Sequence, residues 1–316
     1  MTSKNIASHA CSIRISDQKH LEKRAMCPQT QRGVTLIELM VGITIGLLTV
    51  AVAMGALMVS RGISGTVSDA SLIQQQGSYA MRVIGLQLRQ AGSLRLNLDP
   101  GTSATESNYL IPAAFEAAIA ASGSDPGFNP ATQSITGKHN PGDSEYALSV
   151  GYRNYTEPVF ISASEASLHR NCLGESGTPS LIQSQFQLYT PASDPARREL
   201  RCAGTGAAQA IINNVANFQA RYLLQDNAVP GASTIKSVDA SGVTNWAQVQ
   251  AVEVCLVLYG NESIDMPAGS TYTDCDGAAV NMTTLTGSRT KRMHIAFRNT
   301  FQLRSQGLIG SVITPQ

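Results

Sequence analysis

The longest hydrophobic pattern in this chain is a run from Val34 to Ser60, which contains 27 residues and a single charged side chain, Glu38. An α-helix of that length would extend about 40 Å, against about 30 Å for the hydrocarbon core of a bilayer. The run therefore predicts one membrane-spanning helix over residues 34–60. A carboxylate inside a bilayer costs at least about 2.5 kcal/mol, so Glu38 is a candidate functional residue that needs a partner.

A second pattern, with the spacing of an amphipathic helix, begins near Val67. One face carries Ile73, Ala80, Ile84, Leu88 and Ala91, widened by Leu72, Tyr79 and Val83, and another carries Gln75, Ser78, Arg82 and Arg89. Gly92 is placed to cap the C-terminus of this segment. We therefore expect one long N-terminal helix over residues 34–93, loosened near Gly62 and Gly65.

Between about Asn97 and Ser144 the periodicity gives way to Gly, Ser, Ala, Pro and Asn, with repeated turn signals. This composition predicts an irregular surface region over residues 94–145, with one short helix at Pro112–Ser122 that begins at its proline.

Beyond residue 145 the pattern has the two-residue period of β-strands. Strands are predicted at Glu145–Tyr152, Pro158–Ala163, Leu181–Tyr189, Glu199–Cys202, Phe218–Leu224, Val252–Tyr259 and Met293–Leu303. Val252–Tyr259 is almost entirely apolar, which suits a central strand covered on both faces. The predicted fold class is α+β, with the long helix packed on an antiparallel β-sheet head over residues 146–316.

The distribution of charge predicts how the chain is oriented across the membrane. Residues 1–33 carry six basic and two acidic side chains, a net charge of +4, so the rest of the chain carries −3. Positive charge before the span favours a cytoplasmic leader and an exported head. A mildly acidic head gives no reason to expect nucleic acid as a partner. Met26 is an alternative start, which would leave a basic leader of eight residues.

The segment Gly33-Val34-Thr35-Leu36-Ile37-Glu38-Leu39-Met40-Val41 resembles the processing site of type IV prepilins and type II secretion pseudopilins. The resemblance implies that prepilin peptidase cuts after Gly33 and methylates the new N-terminus at Val34, where the family usually has Phe. It also implies that Glu38 directs assembly. Its carboxylate can pair with the α-amino group of Val34, on its own or a neighbouring chain, because such attraction strengthens as the dielectric falls. Gly42 and Gly46 form a GxxxG pair that allows close helix packing.

Cleavage would leave four cysteines, Cys172, Cys202, Cys255 and Cys275. An even number in an exported domain indicates disulfides, and their order favours Cys172–Cys202 and Cys255–Cys275 among the three pairings. Each bond would contribute roughly 3–4 kcal/mol on the loop-entropy model. A metal site is the alternative, but the chain has no close CxxC pair and few histidines, so no metal is expected.

Several downstream segments resemble one branch of the pilins, the PilW-type minor pilins. They are Leu88–Gly92, Cys172–Gly174, Leu200–Cys202, the Val215–Tyr222 strand and the basic segment from Lys291 to Arg304. The resemblance implies an inner-membrane precursor with a periplasmic head. After cleavage it would join other minor pilins at the pilus tip, prime polymerisation of the major pilin, and can carry a tip adhesin.

The sequence contains no recognisable catalytic motif, neither GxSxG, HExxH nor a P-loop, so we expect a protein that is not an enzyme and that uses no cofactor. The three histidines that would remain after cleavage, His139, His169 and His294, are far apart in sequence and are expected at the surface. Two alternatives remain: a minor pseudopilin of type II secretion, which shares the N-terminal segment, and a membrane-anchored periplasmic binding domain.

Overall fold

The computed structural model describes residues 33–93, 96–97, 114–115, 118–143, 145–160, 165–193, 195, 197–226 and 234–303. The predictions for residues 1–32, including the start at Met26, lie outside this part of the chain. The residues form two compact units, which divide after Met58.

The chain begins with one long helix, α1, over Leu36–Gln90, 55 residues without a break. The loosening expected near Gly62 and Gly65 is therefore not observed. Gly92 has a φ of +67°, in the left-handed region that ends a helix, and its N–H donates to the carbonyl of Gly151 at 2.8 Å. The prediction of a glycine cap at this position is confirmed.

The remaining elements of the described residues are short helices and thirteen β-strands. The strands are β1 (Leu96–Asn97), β2 (Ala114–Phe115), β3 (Ile135–Gly137), β4 (Leu148–Arg153), β5 (Leu181–Tyr189), β6 (Glu199–Ala203), β7 (Gln209–Ile212), β8 (Val215–Asp226), β9 (Thr234–Val238), β10 (Val249–Ser263), β11 (Thr271–Thr273), β12 (Ala279–Asn281) and β13 (Arg292–Gln302). In the part of the chain that the structure describes, the helices after α1 are α2 (Pro130–Gln133) and four single 3-10 turns, Ala240–Gly242, Trp246–Gln248, Met282–Thr284 and Gly287–Arg289.

The strands form two main antiparallel sheets. One has the order β3-β4-β5-β6-β7 and the other the order β13-β10-β8-β9, while β1-β2 and β11-β12 are separate pairs. The larger hydrophobic core contains residues of both sheets and of the second half of α1. The apolar helix face predicted from Ile73, Ala80, Ile84, Leu88 and Ala91 is buried, at 2% exposure or less. The structure thus shows the predicted α+β class, although Leu72 and Tyr79, expected to widen this face, are 40% and 55% exposed.

Part of the segment expected to be an irregular surface region, 94–145, enters the head. Phe128 and Ile135 are each 1% exposed, and β3 is an edge strand of the five-stranded sheet. The helix predicted at Pro112–Ser122 is wrong where the chain is described, because Ala114–Phe115 is a strand and Ile119 forms a β-bridge with Phe128. Bridges between distant residues of this kind leave no local periodicity in the sequence.

Most strand predictions agree with the structure, and two differ. The strand expected at Glu145–Tyr152 begins only at Leu148. Pro158–Phe160 is not a strand, and the rest of that predicted element lies outside the described residues. β10 lies between β8 and β13 and is buried on both faces, as its apolar sequence predicts.

Candidate assembly site

The N-terminal segment begins with a hydrogen-bonded cap. Gly33, Val34 and Thr35 precede α1, and the Thr35 Oγ1 accepts from the Glu38 N–H at 3.3 Å. The Thr35 hydroxyl in turn lies 3.4 Å from Glu38 Oε2. Thr-x-x-Glu is the signature of a capping box, a signal that our sequence analysis did not use. Glu38 therefore lies in the first turn, where a negative charge is favoured by the helix dipole.

This position would suit Glu38 to a role in a chain that is cut after Gly33. A cut after Gly33 would place the α-amino group of Val34 two residues before the start of α1. A cation at the N-terminus of a helix is unfavourable, and a carboxylate in the first turn offsets it. Among the described residues, the Glu38 carboxylate has no cation within ion-pair distance. It is therefore available to an amine of its own or a neighbouring chain.

The apolar part of α1 offers a continuous free surface. Every residue from Gly33 to Val59 is exposed, and the helix contains a stretch long and apolar enough to cross a membrane. A Cβ placed on Gly42 or Gly46 would meet no atom of the described residues within 4 Å, so the space beside each glycine is open. The Thr44 and Thr49 hydroxyls donate to the carbonyls of Val41 and Gly46, which satisfies them within an apolar solvent.

Two aromatic rings anchor the second half of α1 to the four-stranded sheet. A Cβ on Gly77 would lie 2.5 Å from the ring of Phe297, and one on Gly85 would lie 2.3 Å from the ring of Phe301. The two glycines are eight residues apart on the helix and the two rings four residues apart on the strand, and both separations are about 12–13 Å. The spacing of the rings therefore matches the spacing of the glycines. The rings of β13 thus occupy two gaps on the helix that only glycine leaves open.

A buried polar network anchors the same helix to the five-stranded sheet. Gln87, which is 6% exposed, accepts from the Ser184 hydroxyl at 2.9 Å through Oε1 and lies 3.3 Å from the Tyr152 hydroxyl. Ser184 Oγ accepts from the Cys172 N–H at 3.0 Å, which extends the network to the first disulfide. Burial raises the pKa of the Tyr152 phenol, so this ring stays neutral at physiological pH.

A third anchor is a buried carboxylate near the start of the head. Asp69 is 4% exposed, and its two oxygens accept from the N–H groups of Asn261 at 2.8 Å and Glu262 at 3.3 Å. These donors lie where the pairing of β10 with β13 shifts register. Gly260 allows this approach, because a Cβ there would lie 1.7 Å from Asp69 Oδ2.

Both predicted disulfides are present. Cys172–Cys202 joins the loop before β5 to β6, with the Cα atoms 6.4 Å apart. Cys255–Cys275 joins β10 to the β11-β12 hairpin at a Cα separation of 5.6 Å. Around the second bond Val257 and Tyr259 form a small core on the face of the sheet remote from α1. This hairpin supplies the second cover of β10.

His294 corrects one prediction. It was expected at the surface but is 6% exposed, stacked on Tyr272 at 4.7 Å between ring centroids. Its Nδ1–H donates to the Arg292 carbonyl at 2.9 Å. Burial, followed by the charge of Arg289, lowers the pKa of the imidazole. The described residues contain no group of three metal-ligating side chains.

The family comparisons match both parts of the chain. A model of the family Type IV Pilus-assembly protein W matches residues 169–305, and a model of the prokaryotic N-terminal methylation motif matches residues 28–54. The chain is a type IV pilin-like protein of the PilW type. The N-terminal match of this PilW-type protein contains Gly33, Val34 and Glu38, and the other contains both disulfides and strands β5 to β13.

Searches for individual relatives add little to this assignment. No curated protein matches this PilW-type chain. Among solved structures, a type IV-like pilin from Thermus thermophilus is similar, with 12% identity, a TM-score of 0.34, and coverage of 74% of this chain and 96% of that chain. A TM-score at this level does not establish a shared topology.

Proposed function

We propose that this PilW-type protein is a structural minor pilin, and not an enzyme, that helps to prime type IV pilus assembly after prepilin peptidase cuts between Gly33 and Val34. The precursor would cross the inner membrane once, with its leader in the cytoplasm and its head in the periplasm. It would then join other minor pilins in a complex at the pilus tip, with the major pilin below and a tip adhesin as a candidate cargo.

One observation carries this proposal. The first turn of α1 holds the single acid of a wholly exposed apolar stretch, within the segment that matches the methylation motif, on a chain whose head matches the PilW family. An exposed apolar helix of this length must be covered by lipid or by other helices. In a minor pilin this helix would be surrounded by lipid before assembly and by neighbouring subunits afterwards.

The N-terminal steps are tested by mass spectrometry of the protein from cells with and without prepilin peptidase. We expect loss of residues 1–33 and one added methyl group at Val34 only in cells that contain the peptidase. An intact N-terminus in both strains would contradict the proposal and favour an anchored periplasmic domain. Glu38→Gln should still be processed but should fail to restore pili to a deletion strain. Thr35→Ser, which keeps the hydroxyl at the cap, is the matched control.

The role in priming is tested in an in-frame deletion strain by counting surface pili, twitching and secretion of enzymes. Loss of pili with normal secretion is the expected result. Loss of secretion with normal pili would assign the chain to the type II pseudopilins, which share the N-terminal motif. A strain normal in both respects would contradict either assembly role.

A further inference from the structure

A polar groove lies on the head where the two sheets meet. We call it the Arg198 groove. It encloses about 480 Å³, and its lining includes Lys138, Asp143, Arg198, Gln219, Asp239 and Asp276. Its floor includes part of β8, and its walls include the loop before β4 and the residue before β6. A volume of this size lies within the range of about 300–1,000 Å³ that is typical of binding sites.

Arg198 is the unusual residue in this groove. Its carbonyl accepts from the Val215 N–H at 3.0 Å, which fixes its backbone between β6 and β8. Its half-buried guanidinium makes no hydrogen bond or ion pair with any described residue. By contrast, Arg201 and Arg298 are paired with Glu199 at 2.9 Å and Glu253 at 2.8 Å. Burial, and next the charge of Arg289, lowers the pKa of Arg198, so its surroundings disfavour the cation.

The two carboxylates whose charges favour the Arg198 cation accept hydrogen bonds from other groups and form no ion pair with it. Asp143 Oδ1 accepts from the Thr190 hydroxyl at 2.7 Å. Asp274 Oδ1 accepts from the side chain of Asn217 at 2.9 Å and from the Cys275 N–H at 2.8 Å. A partly desolvated guanidinium without a direct ion pair is unfavourable, and a carboxylate held in a bidentate pair would relieve that cost. The Arg198 guanidinium could therefore pair with one anionic group that enters the groove.

The rest of the lining decides which class of anion fits. The three acids of the lining, Asp143, Asp239 and Asp276, balance its basic residues Lys138, Arg198 and Arg221, so the groove lacks the excess of positive charge that would attract a polyanion such as a nucleic acid. An extended peptide carries one carboxylate among neutral residues, so it can place this group on Arg198 and avoid the acids. The amide side chain of Gln219 can also hydrogen-bond to a peptide backbone.

We propose that the Arg198 groove binds an extended segment of a neighbouring pilus subunit, with an aspartate or glutamate of that segment paired to the Arg198 guanidinium. The identity of the partner as a pilus subunit rests on the proposed function. The head would then recognise its neighbour through one desolvated charge pair, in addition to contacts made by α1.

The test is photo-crosslinking in living cells, with a benzophenone amino acid in place of Gln219. We expect an adduct with another pilin, mapped by mass spectrometry to a peptide that contains Asp or Glu. Arg198→Gln should lower the adduct yield about tenfold, and Arg198→Lys, which keeps the charge but loses the bidentate fork, should lower it less. Arg201→Gln removes the same charge outside the groove and should leave the yield unchanged. A crosslinker at Gln183, on the outer face of the other sheet, should not give this adduct.

Several outcomes would overturn the proposal. They are an adduct yield that does not respond to Arg198→Gln, an adduct with nucleic acid, an adduct peptide without an acid, and no adduct in piliated cells. Because the Arg198 side chain makes no described hydrogen bond and its surroundings disfavour the cation, neither Arg198 variant should unfold at a lower urea concentration than the wild type. Failure of the proposed function is distinguishable, since it would show as normal pili in the deletion strain, whatever the adduct at Gln219.

Discussion

The contact between Gly85 and the Phe301 ring gives a sharp prediction for the stability of the head. A Cβ at position 85 would lie 2.3 Å from Phe301 Cε1 and 3.0 Å from two further ring atoms. Phe301 is 6% exposed, so its ring has little room to move. Overpacking of a core costs about 1–3 kcal/mol, whereas alanine in place of glycine within a helix gains about 1 kcal/mol. At the upper end of the overpacking cost, Gly85→Ala should destabilise the head by about 2 kcal/mol.

Gly62→Ala is the matched control, because it lies on the same helix and its new Cβ would meet no atom within 4 Å. It should stabilise the protein by up to about 1 kcal/mol. Urea unfolding of the full chain in detergent can be followed through Trp246, the single tryptophan, which packs edge-on against the buried Tyr222 at 4.9 Å. The two variants should therefore shift the unfolding midpoint in opposite directions.

A double-mutant cycle tests the cause. Phe301→Leu removes the ring, so Gly85→Ala should cost less in that background than in the wild type. Gly77→Ala should cost less than Gly85→Ala, because the ring of Phe297 is only partly buried and can turn away. If Gly85→Ala raised the midpoint as Gly62→Ala does, the proposed fit of ring against glycine would be refuted.

Three further perturbations address the other anchors. Asp69→Ala should destabilise the head by about 2–4 kcal/mol in urea, since it leaves two backbone N–H groups unpaired, and Asp69→Asn should cost less. Stability should fall as the pH drops below about 6.5, because the histidine of the unfolded chain gains its proton at a higher pH than His294 in the folded head. The slope should be at most about 1.4 kcal/mol per pH unit. Urea midpoints of His294→Gln that keep the full slope would contradict this prediction. Replacing Cys255 and Cys275 by serine should cost about 3 kcal/mol and should expose the β11-β12 hairpin to protease, as measured by limited digestion.

The sequence was sufficient for the elements that are governed by local pattern. The long helix, its glycine cap and the strand at Leu181–Tyr189 follow from periodicity and turn chemistry, and the structure agrees with them. The burial of His294 could not be predicted in this way. On β13 it lies on the face that was expected to contact solvent. That face is covered by the β11-β12 hairpin, which is tied to β10 by the Cys255–Cys275 disulfide.

For the same reason, the groove could not be found from the sequence. Arg198 belongs to a short segment with no periodicity, and that it forms no ion pair with a described residue depends on the loops that fold around it. The N-terminal site is the opposite case. There the relevant distances separate residues of one helical turn, so spacing alone relates Glu38 to Thr35 and to the cleavage position.

The exceptions on the buried face of α1 were also visible in the sequence, although their meaning was not. Asp69, Gly77, Gly85 and Gln87 occupy positions that helical periodicity assigns to the core, where an apolar side chain is expected. Each of the four makes a contact that no ordinary apolar residue could make there. From Gly33 to Val59, by contrast, every residue is exposed. Substitutions on the buried face should therefore impair folding, whereas substitutions at Glu38, Gly42 or Gly46 should leave the head stable and act on assembly alone.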